Sequence, residues 1–184
     1  MNIAVVEEGF TGDIKTSVTN ASYAVDHCAA QLKTPTDAVN IMTKSICMRL
    51  MIHIIGDIHQ PLHTSTLFSN LFPDGDMGGN KFDIVYLNKK SLSNLHSFWD
   101  STSHYYGEVK VPLTESNYEK LQGWADEITT EFPREGVKDE LTKYNDFDGW
   151  VVEGGEKAEK SAYFDQTLHS GDTLSDEYLS LIHI

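Results

Sequence analysis

Between residues 21 and 32 the apolar positions Ala21, Ala24, Val25, Cys28, Ala29 and Leu32 recur at intervals of three and four, the stripe of a helix with one buried face. The pattern predicts a helix over about 15–33. A fresh start signal follows at once: Thr34 suits an N-cap, Pro35 the first helical position, and Asp37 the acceptor of a capping box. A second helix is expected from there to about residue 59, stopped by Pro61. Its later part, 46–55, is apolar nearly all round, the pattern of a helix buried among others. Residues 64–80 contain Pro73, Gly75, Gly78 and Gly79 and read as a loop. Phe82, Ile84 and Tyr86 alternate with Asp83 and Val85 as in a short strand, which Asn88-Lys89-Lys90 would turn into a hairpin. A third helix is expected across about 94–104. Another is capped by Thr114, with Glu115 in its first turn and Pro133 beyond its end, and one more spans about 147–164. The predicted fold class is mainly α, a single helical domain over 1–184 with a small β-hairpin.

Charge narrows the chemistry. The 184 residues carry 14 Lys and Arg against 28 Asp and Glu, a formal net charge of −14. Proteins that hold nucleic acid through its phosphates display a basic stripe. None is visible, and Lys89-Lys90 reads as a solvated turn. A phosphodiester substrate would need its charge met locally, and bound metal is the obvious means. No run approaches the roughly 18 apolar residues of a membrane-spanning helix. The opening MNIAVVEEGF has no basic n-region and does not read as a signal peptide. Cys28 and Cys47 fall in apolar helical positions and read as buried free thiols. Asn20-Ala21-Ser22 fits an N-glycosylation pattern that is frequent by chance.

Two segments stand apart. In His53-Ile54-Ile55-Gly56-Asp57-Ile58-His59-Gln60-Pro61-Leu62-His63, a four-residue step puts His53 and Asp57 on one helix face. In apolar surroundings such a pair needs a partner, since unpaired burial of charge is costly. The Pro61 break lets His63 turn back toward the same region. In Asn94-Leu95-His96-Ser97-Phe98-Trp99-Asp100 the same His-to-Asp spacing recurs between apolar residues. One such pair alone is more often a structural hydrogen bond than a metal site. Two pairs with a third imidazole favour ligands, because imidazole and carboxylate are the usual nitrogen and oxygen donors to zinc. His27, His59, His104, His169 and His183 fit no such pattern and read as solvated or hydrogen-bonded.

Taken together, His53-x-x-Gly56-Asp57-x-x-Gln60-Pro61-Leu62-His63, Asp76-x-Gly78-Gly79-Asn80 and Asn94-Leu95-His96-x-x-Trp99-Asp100 resemble the S1/P1 nuclease family, which is related in fold to zinc-dependent phospholipases C. The similarity runs from about residue 20 to 178. It implies a mainly α-helical enzyme with three zinc ions in a cleft. By the same matching His53 binds one zinc of a close pair, Asp57 bridges that pair, and His63, His96 and Asp100 hold the third. His53 and Asp57 are thereby placed at the reacting centre. The implied reaction is hydrolysis of RNA and single-stranded DNA to 5′-nucleotides, with 3′-nucleotidase activity in many members. No membrane span or protein partner is implied, and the family is secreted, periplasmic or lysosomal. In the Asp-x-Gly-Gly-Asn match, the glycines are expected to permit close packing near the metals. Asp76 is expected to orient a ligand imidazole, or equally to close a turn on its own backbone, with Asn80 beside it.

The match has gaps. The family completes its zinc pair with residues that precede His53, and none has a counterpart here; the final helix of the family is also expected to run further. One firm zinc site and a nearly inactive chain are therefore expected. Thr102 stands where related fungal enzymes carry a base-contacting Asn. A zinc-dependent phospholipase C and a non-catalytic zinc-binding protein are the alternatives.

Overall fold

The computed structural model describes residues 3–15, 21–86, 94–102, 106–137 and 146–182. Strand β1 (Ile3–Val6) is followed by helices α1 (Ala21–Lys33), α2 (Ile41–Ile58) and the short α3 (Pro61–Thr64), which runs straight into strand β2 (Ser65–Phe68). Helices α4 (Leu95–Asp100), α5 (Glu115–Glu131), α6 (Phe147–Lys157) and α7 (Asp176–Ile182) complete a mainly α architecture. No helix among the described residues is long and apolar enough to cross a membrane.

The predicted stripe on α1 is real: Val25 and Cys28 are buried and Ala21, Ala24, Ala29 and Leu32 are half-buried. Ser22 of the Asn20 sequon is buried within α1, while Asn20 lies outside the described residues. Helix α2, by contrast, begins six residues later than Pro35 suggested. Thr34 closes α1 instead of opening α2, its hydroxyl donating to Ala30 O at 2.9 Å. Ala38 and Val39 both donate to Pro35 O in a tight turn. Asn40 then caps α2, its side chain accepting from Met42 N at 2.7 Å. The Lys44 ammonium reaches back to the carbonyls of Leu32 and Thr34, placing a cation on the negative end of α1 and tying the two helices together.

The expectation that residues 46–55 of α2 are buried among other helices is incorrect. Ile46, Met48, Leu50 and Ile52 are exposed in that stretch, and only Cys47 within it is fully buried. The expected β-hairpin runs past the described residues, and the sheet formed among them is a different one. The sheet pairs β1 with β2 in parallel, Ile3 opposite Ser65 through Val6 opposite Phe68. Residues 82–86 make only an isolated parallel bridge, Val85 to Thr173, and the turn at 88–90 lies outside the described residues. The parallel pairing has a physical basis: it sets buried Val5 opposite buried Leu67 in the larger core, where each buried aliphatic side chain is worth about 1.5–3 kcal/mol.

Among the described residues, two core clusters organise the fold. The larger gathers Leu62, Phe82, Leu95, Phe98, Tyr163 and Tyr178 with their neighbours; the smaller packs Val25 and Ile58 against Phe147 and Val151. Helix α5 buries no residue and is a solvated helix capped by Thr114 as expected, the hydroxyl accepting from Asn117 N at 3.3 Å. The last long helix departs from regular form before its expected end near 164. It widens into a π-turn over Ala158–Ala162, with Tyr163 N donating to Ala158 O at 2.8 Å. Phe164, Asp165 and Gln166 then adopt positive φ, at 52°, 51° and 61°, and turn the chain away.

Candidate metal centre

The two sequence segments meet in space. Pro61 opens α3 at its first position, where its missing N–H costs nothing, and Gln60 caps it by accepting from Leu62 N. That sharp turn swings His63 back, as the sequence suggested. Its Nε2 lies 3.0 Å from Asp100 Oδ1, and its Nδ1 lies 3.8 Å from Asp57 Oδ1. Across from it, α4 carries His96 and Asp100 one turn apart, Nε2 to Oδ2 at 3.5 Å. Asn94 starts that helix by accepting from Ser97 N at 2.8 Å, and buried Leu95 and Phe98 root it in the larger core. The rings of His63 and His96 lie parallel, centroids 4.8 Å apart and planes within 6°.

His63, His96 and Asp100 each offer a ligand atom, all within 4.8 Å of one another. Three donors around one zinc at bond lengths of about 2.0–2.1 Å should stand roughly 3.3 Å apart at tetrahedral angles. The His63 and His96 Nε2 atoms stand 3.0 and 3.5 Å from Asp100, each from a different carboxylate oxygen, which is close to that value. Two imidazoles and one carboxylate form a nitrogen- and oxygen-rich set suited to zinc, so the residues fit the ion that the family resemblance implies.

The surrounding hydrogen bonds hold these donors in place. A carbonyl can only accept, so the 2.7 Å contact of His96 Nδ1 with Gly78 O puts the proton on Nδ1 and leaves the Nε2 lone pair facing Asp100. The Gln60 amide donates to Asp100 Oδ1 at 2.8 Å, a contact that sequence reasoning missed although Gln60 stands in the motif. An N-cap glutamine just before a proline was the available signal.

His53 and Asp57 are also paired, Nε2 to Oδ2 at 3.2 Å. They are not in the buried setting expected of them: the His53 side chain is 73% exposed, against 25% for His63 and 20% for His96. Among the described residues no third donor joins them in a cluster of metal-binding size. Clefts of about 450 and 440 Å³ open on either side of His63 and Asp57. His96, Met77 and Gly78 line the first; His59, Trp99, Asp100 and Thr102 line the second.

The Gly-Gly loop packs as closely as expected. A Cβ on Gly78 would stand 2.3 Å from Leu62 O, and both Gly78 and Gly79 have positive φ, 62° and 83°. Asp76, however, touches no imidazole. Its carboxylate is fully buried and accepts from Leu67 N, from Gly79 N, each at 2.9 Å, and from the Tyr163 hydroxyl at 2.7 Å. Burial pushes its pKa up, against the pull of Tyr163 and the backbone N–H groups. Burial and the neighbouring carboxylate drive the Tyr163 phenol far above its ordinary range, so the hydroxyl keeps its proton and donates it to Asp76. Asn80 is exposed and closes its own turn on Met77 O at 2.9 Å, away from the donors. Thr102 is exposed at φ 48° and bonds its neighbour Ser101 O.

Of the other histidines, His59 binds Ile55 O at 2.7 Å through Nδ1 and packs on Trp150, while His169 pairs with Asp172. His27 lies beside Tyr23; His104 and His183 fall outside the described residues. Cys28 and Cys47 are free and buried as expected, and burial raises the Cys28 thiol to about 11.

Fold and donor set thus define a helical protein with a His–His–Asp candidate metal centre beside two open clefts. The chain belongs to the S1/P1 nuclease family: the family pattern described as S1/P1 Nuclease matches residues 6–182. It is 33% identical over 132 residues to Endonuclease 2 of Arabidopsis thaliana, covering 68% of this chain and 40% of that protein. It is 29% identical over 136 residues to Endonuclease 1 of the same plant, covering 70% of this chain and 39% of the relative. Nuclease S1 of Aspergillus oryzae is 41% identical over 54 residues, 29% of this chain and 15% of that enzyme. The chain spans well under half the length of these curated relatives.

Proposed function

We propose that this chain forms part of a zinc-dependent phosphodiesterase that cleaves RNA and single-stranded DNA to 5′-nucleotides and removes phosphate from 3′-nucleotides. The convergence of His63, His96 and Asp100 from two separate helices is the observation that carries this reading. These three residues would hold one zinc. His53 and Asp57 would serve a neighbouring metal pair, Asp57 bridging its two ions. When bound, zinc supplies a Lewis acid for the phosphoryl oxygen and acidifies water.

The chain's own residues do the positioning. Gln60 fixes one oxygen of Asp100, and the Gly78 carbonyl fixes the tautomer of His96. Two open clefts meet at the donors, which suits a strand passing across them. The aromatic rings of His59 and Trp99 in one cleft suit unstacked bases, which gain about 1–3 kcal/mol each on aromatic surfaces. With a net charge of −14, attraction for the substrate phosphate must come from the metal rather than from a basic surface. Turnover by the 184-residue chain is expected to be low, because His53 and Asp57 gather no third donor among the described residues.

The test is an end-group assay of the zinc-loaded chain on single-stranded DNA, RNA and phosphatidylcholine vesicles. Slow cleavage of both nucleic acids to 5′-phosphate ends, abolished by a chelator and by Asp100→Ala, is the expected result. Hydrolysis of phosphatidylcholine instead would move the assignment to the phospholipase branch. A chain that binds no zinc would remove the reading altogether.

A further inference from the structure

The His63–His96–Asp100 centre rests on a buried scaffold contributed by a segment more than 50 residues further along the chain. Tyr163 closes the π-turn of Ala158–Ala162 and is fully buried, as is Asp76, to which its hydroxyl donates at 2.7 Å. Asp76 also accepts from the backbone: Oδ1 takes Leu67 N and Oδ2 takes Gly79 N, both at 2.9 Å. Those bonds fix the loop at the point where Gly78 O reaches His96 Nδ1 at 2.7 Å. The loop has little room to adjust, since Gly78 is already closely packed on Leu62 O and Gly79 on His96 N.

The same π-turn holds the other side of the centre. Ala162 O accepts from the Tyr178 hydroxyl at 2.8 Å, and that hydroxyl oxygen accepts in turn from Trp99 Nε1 at 2.8 Å. Trp99 lies on α4 between His96 and Asp100. One irregular turn therefore anchors both the helix that carries two donors and the loop that sets the tautomer of one of them. A regular helix would place Tyr163 about 100° further round its axis and break the reach to Asp76.

We infer that Tyr163 is a positioning residue for the His63–His96–Asp100 centre, acting through Asp76 and the Gly78 carbonyl to present the Nε2 lone pair of His96. The inference rests on the metal-site reading given above. Removing the hydroxyl leaves Asp76 buried with one donor fewer, loosens the 76–79 turn and frees the His96 ring to populate its other tautomer, which cannot ligate through Nε2. Loss of an outer partner of a metal-bound histidine typically weakens metal affinity by about 10–100-fold.

The test uses the full 184-residue chain and two readouts other than turnover. Long-range ¹H–¹⁵N spectra of the metal-free protein report the His96 tautomer, and competition with a chromophoric chelator reports zinc affinity. The wild type should show His96 protonated on Nδ1 before any metal is added. Tyr163→Phe, which keeps the ring in the core, should yield a tautomer mixture and bind zinc at least about 10-fold more weakly. A lower melting temperature with tautomer and affinity unchanged would make Tyr163 a packing residue only and overturn the inference. Should Tyr163→Phe fail to fold, the wild-type spectrum still decides, because a metal-free His96 carrying its proton on Nε2 is incompatible with the proposed chain. Wild-type protein with the expected tautomer but no zinc affinity would strike the metal reading and leave the hydrogen-bond relay standing.

Discussion

The chain carries His-x-x-x-Asp twice, on α2 as His53 and Asp57 and on α4 as His96 and Asp100, and the two copies have different fates. On α4, six residues long, the pair meets a third donor, and its imidazole is held from behind by a carbonyl. On α2, 18 residues long, the pair closes on itself at 3.2 Å, with the imidazole mostly in solvent. Spacing is common to both, so spacing alone does not build a centre. What separates them is a second element arriving at the right distance and an outer hydrogen bond that removes one of the two imidazole tautomers. Helix α4 obtains both because Leu95 and Phe98 root it in the larger core, whereas α2 turns much of its apolar surface outward.

Zinc affinity should divide the two copies most sharply. Asp100→Ala removes a donor that touches both imidazoles, so firm binding should fall more than about 100-fold, beyond the usual effect of losing an outer partner. His53→Ala should change it far less, because His53 contacts none of the three donors and meets them only through Asp57, whose Oδ1 lies 3.8 Å from His63 Nδ1. Chelator competition on both variants checks the contrast. Equal losses would mean that the α2 pair shares the firm ion, and the distinction between the two regions would fail.

Glycine substitutions sharpen the contrast at the level of the backbone. Gly78→Ala places a Cβ 2.3 Å from Leu62 O at a φ of 62°, combining backbone strain with overpacking, so a loss of about 2–5 kcal/mol is expected. Gly56 sits within α2, where an added Cβ meets nothing within 4 Å. Gly56→Ala should stabilise the chain by about 0.5–1 kcal/mol, the helix-propensity gain alone. Denaturant midpoints for the two variants should therefore move in opposite directions. A midpoint that falls for Gly56→Ala would indicate a close neighbour on α2 and weaken the description of that helix as open.

The same contrast explains what the sequence could and could not disclose. Short-range chemistry made His63, His96 and Asp100 legible as candidates, through a proline that turns the chain and a four-residue step, and the family resemblance grouped them. The α1 stripe and the Thr114 cap were legible for the same reason. The start of α2 was misread because Thr34 had two possible partners, and only tertiary structure decides that it closes α1. The β1–β2 pairing joins residues about 60 positions apart, and no local pattern names the partner of Ile3–Val6. Tyr163 was invisible as a site residue for the same reason, since it lies 87 residues from Asp76. The burial assigned to α2 failed differently, because an apolar face records a tendency to be covered without naming the cover.

Ile52 gives the finest measure of that last point. It neighbours His53 in the most apolar stretch of the chain, yet it is 73% exposed. A core residue of its size would lose about 2–5 kcal/mol on truncation, and more if a polar group replaced it. With its side chain in solvent, Ile52→Gln should change unfolding free energy by no more than about 0.5 kcal/mol, as surface substitutions usually do. It should leave zinc affinity unaltered. Paired denaturation curves at two protein concentrations read the effect and also reveal whether copies of the chain cover this face for one another. A large loss at either concentration would place Ile52 in a packed environment and erase the difference in burial between the two His-x-x-x-Asp helices. A negligible loss would leave α4 as the helix whose surroundings, rather than whose letters, make its histidine a candidate ligand.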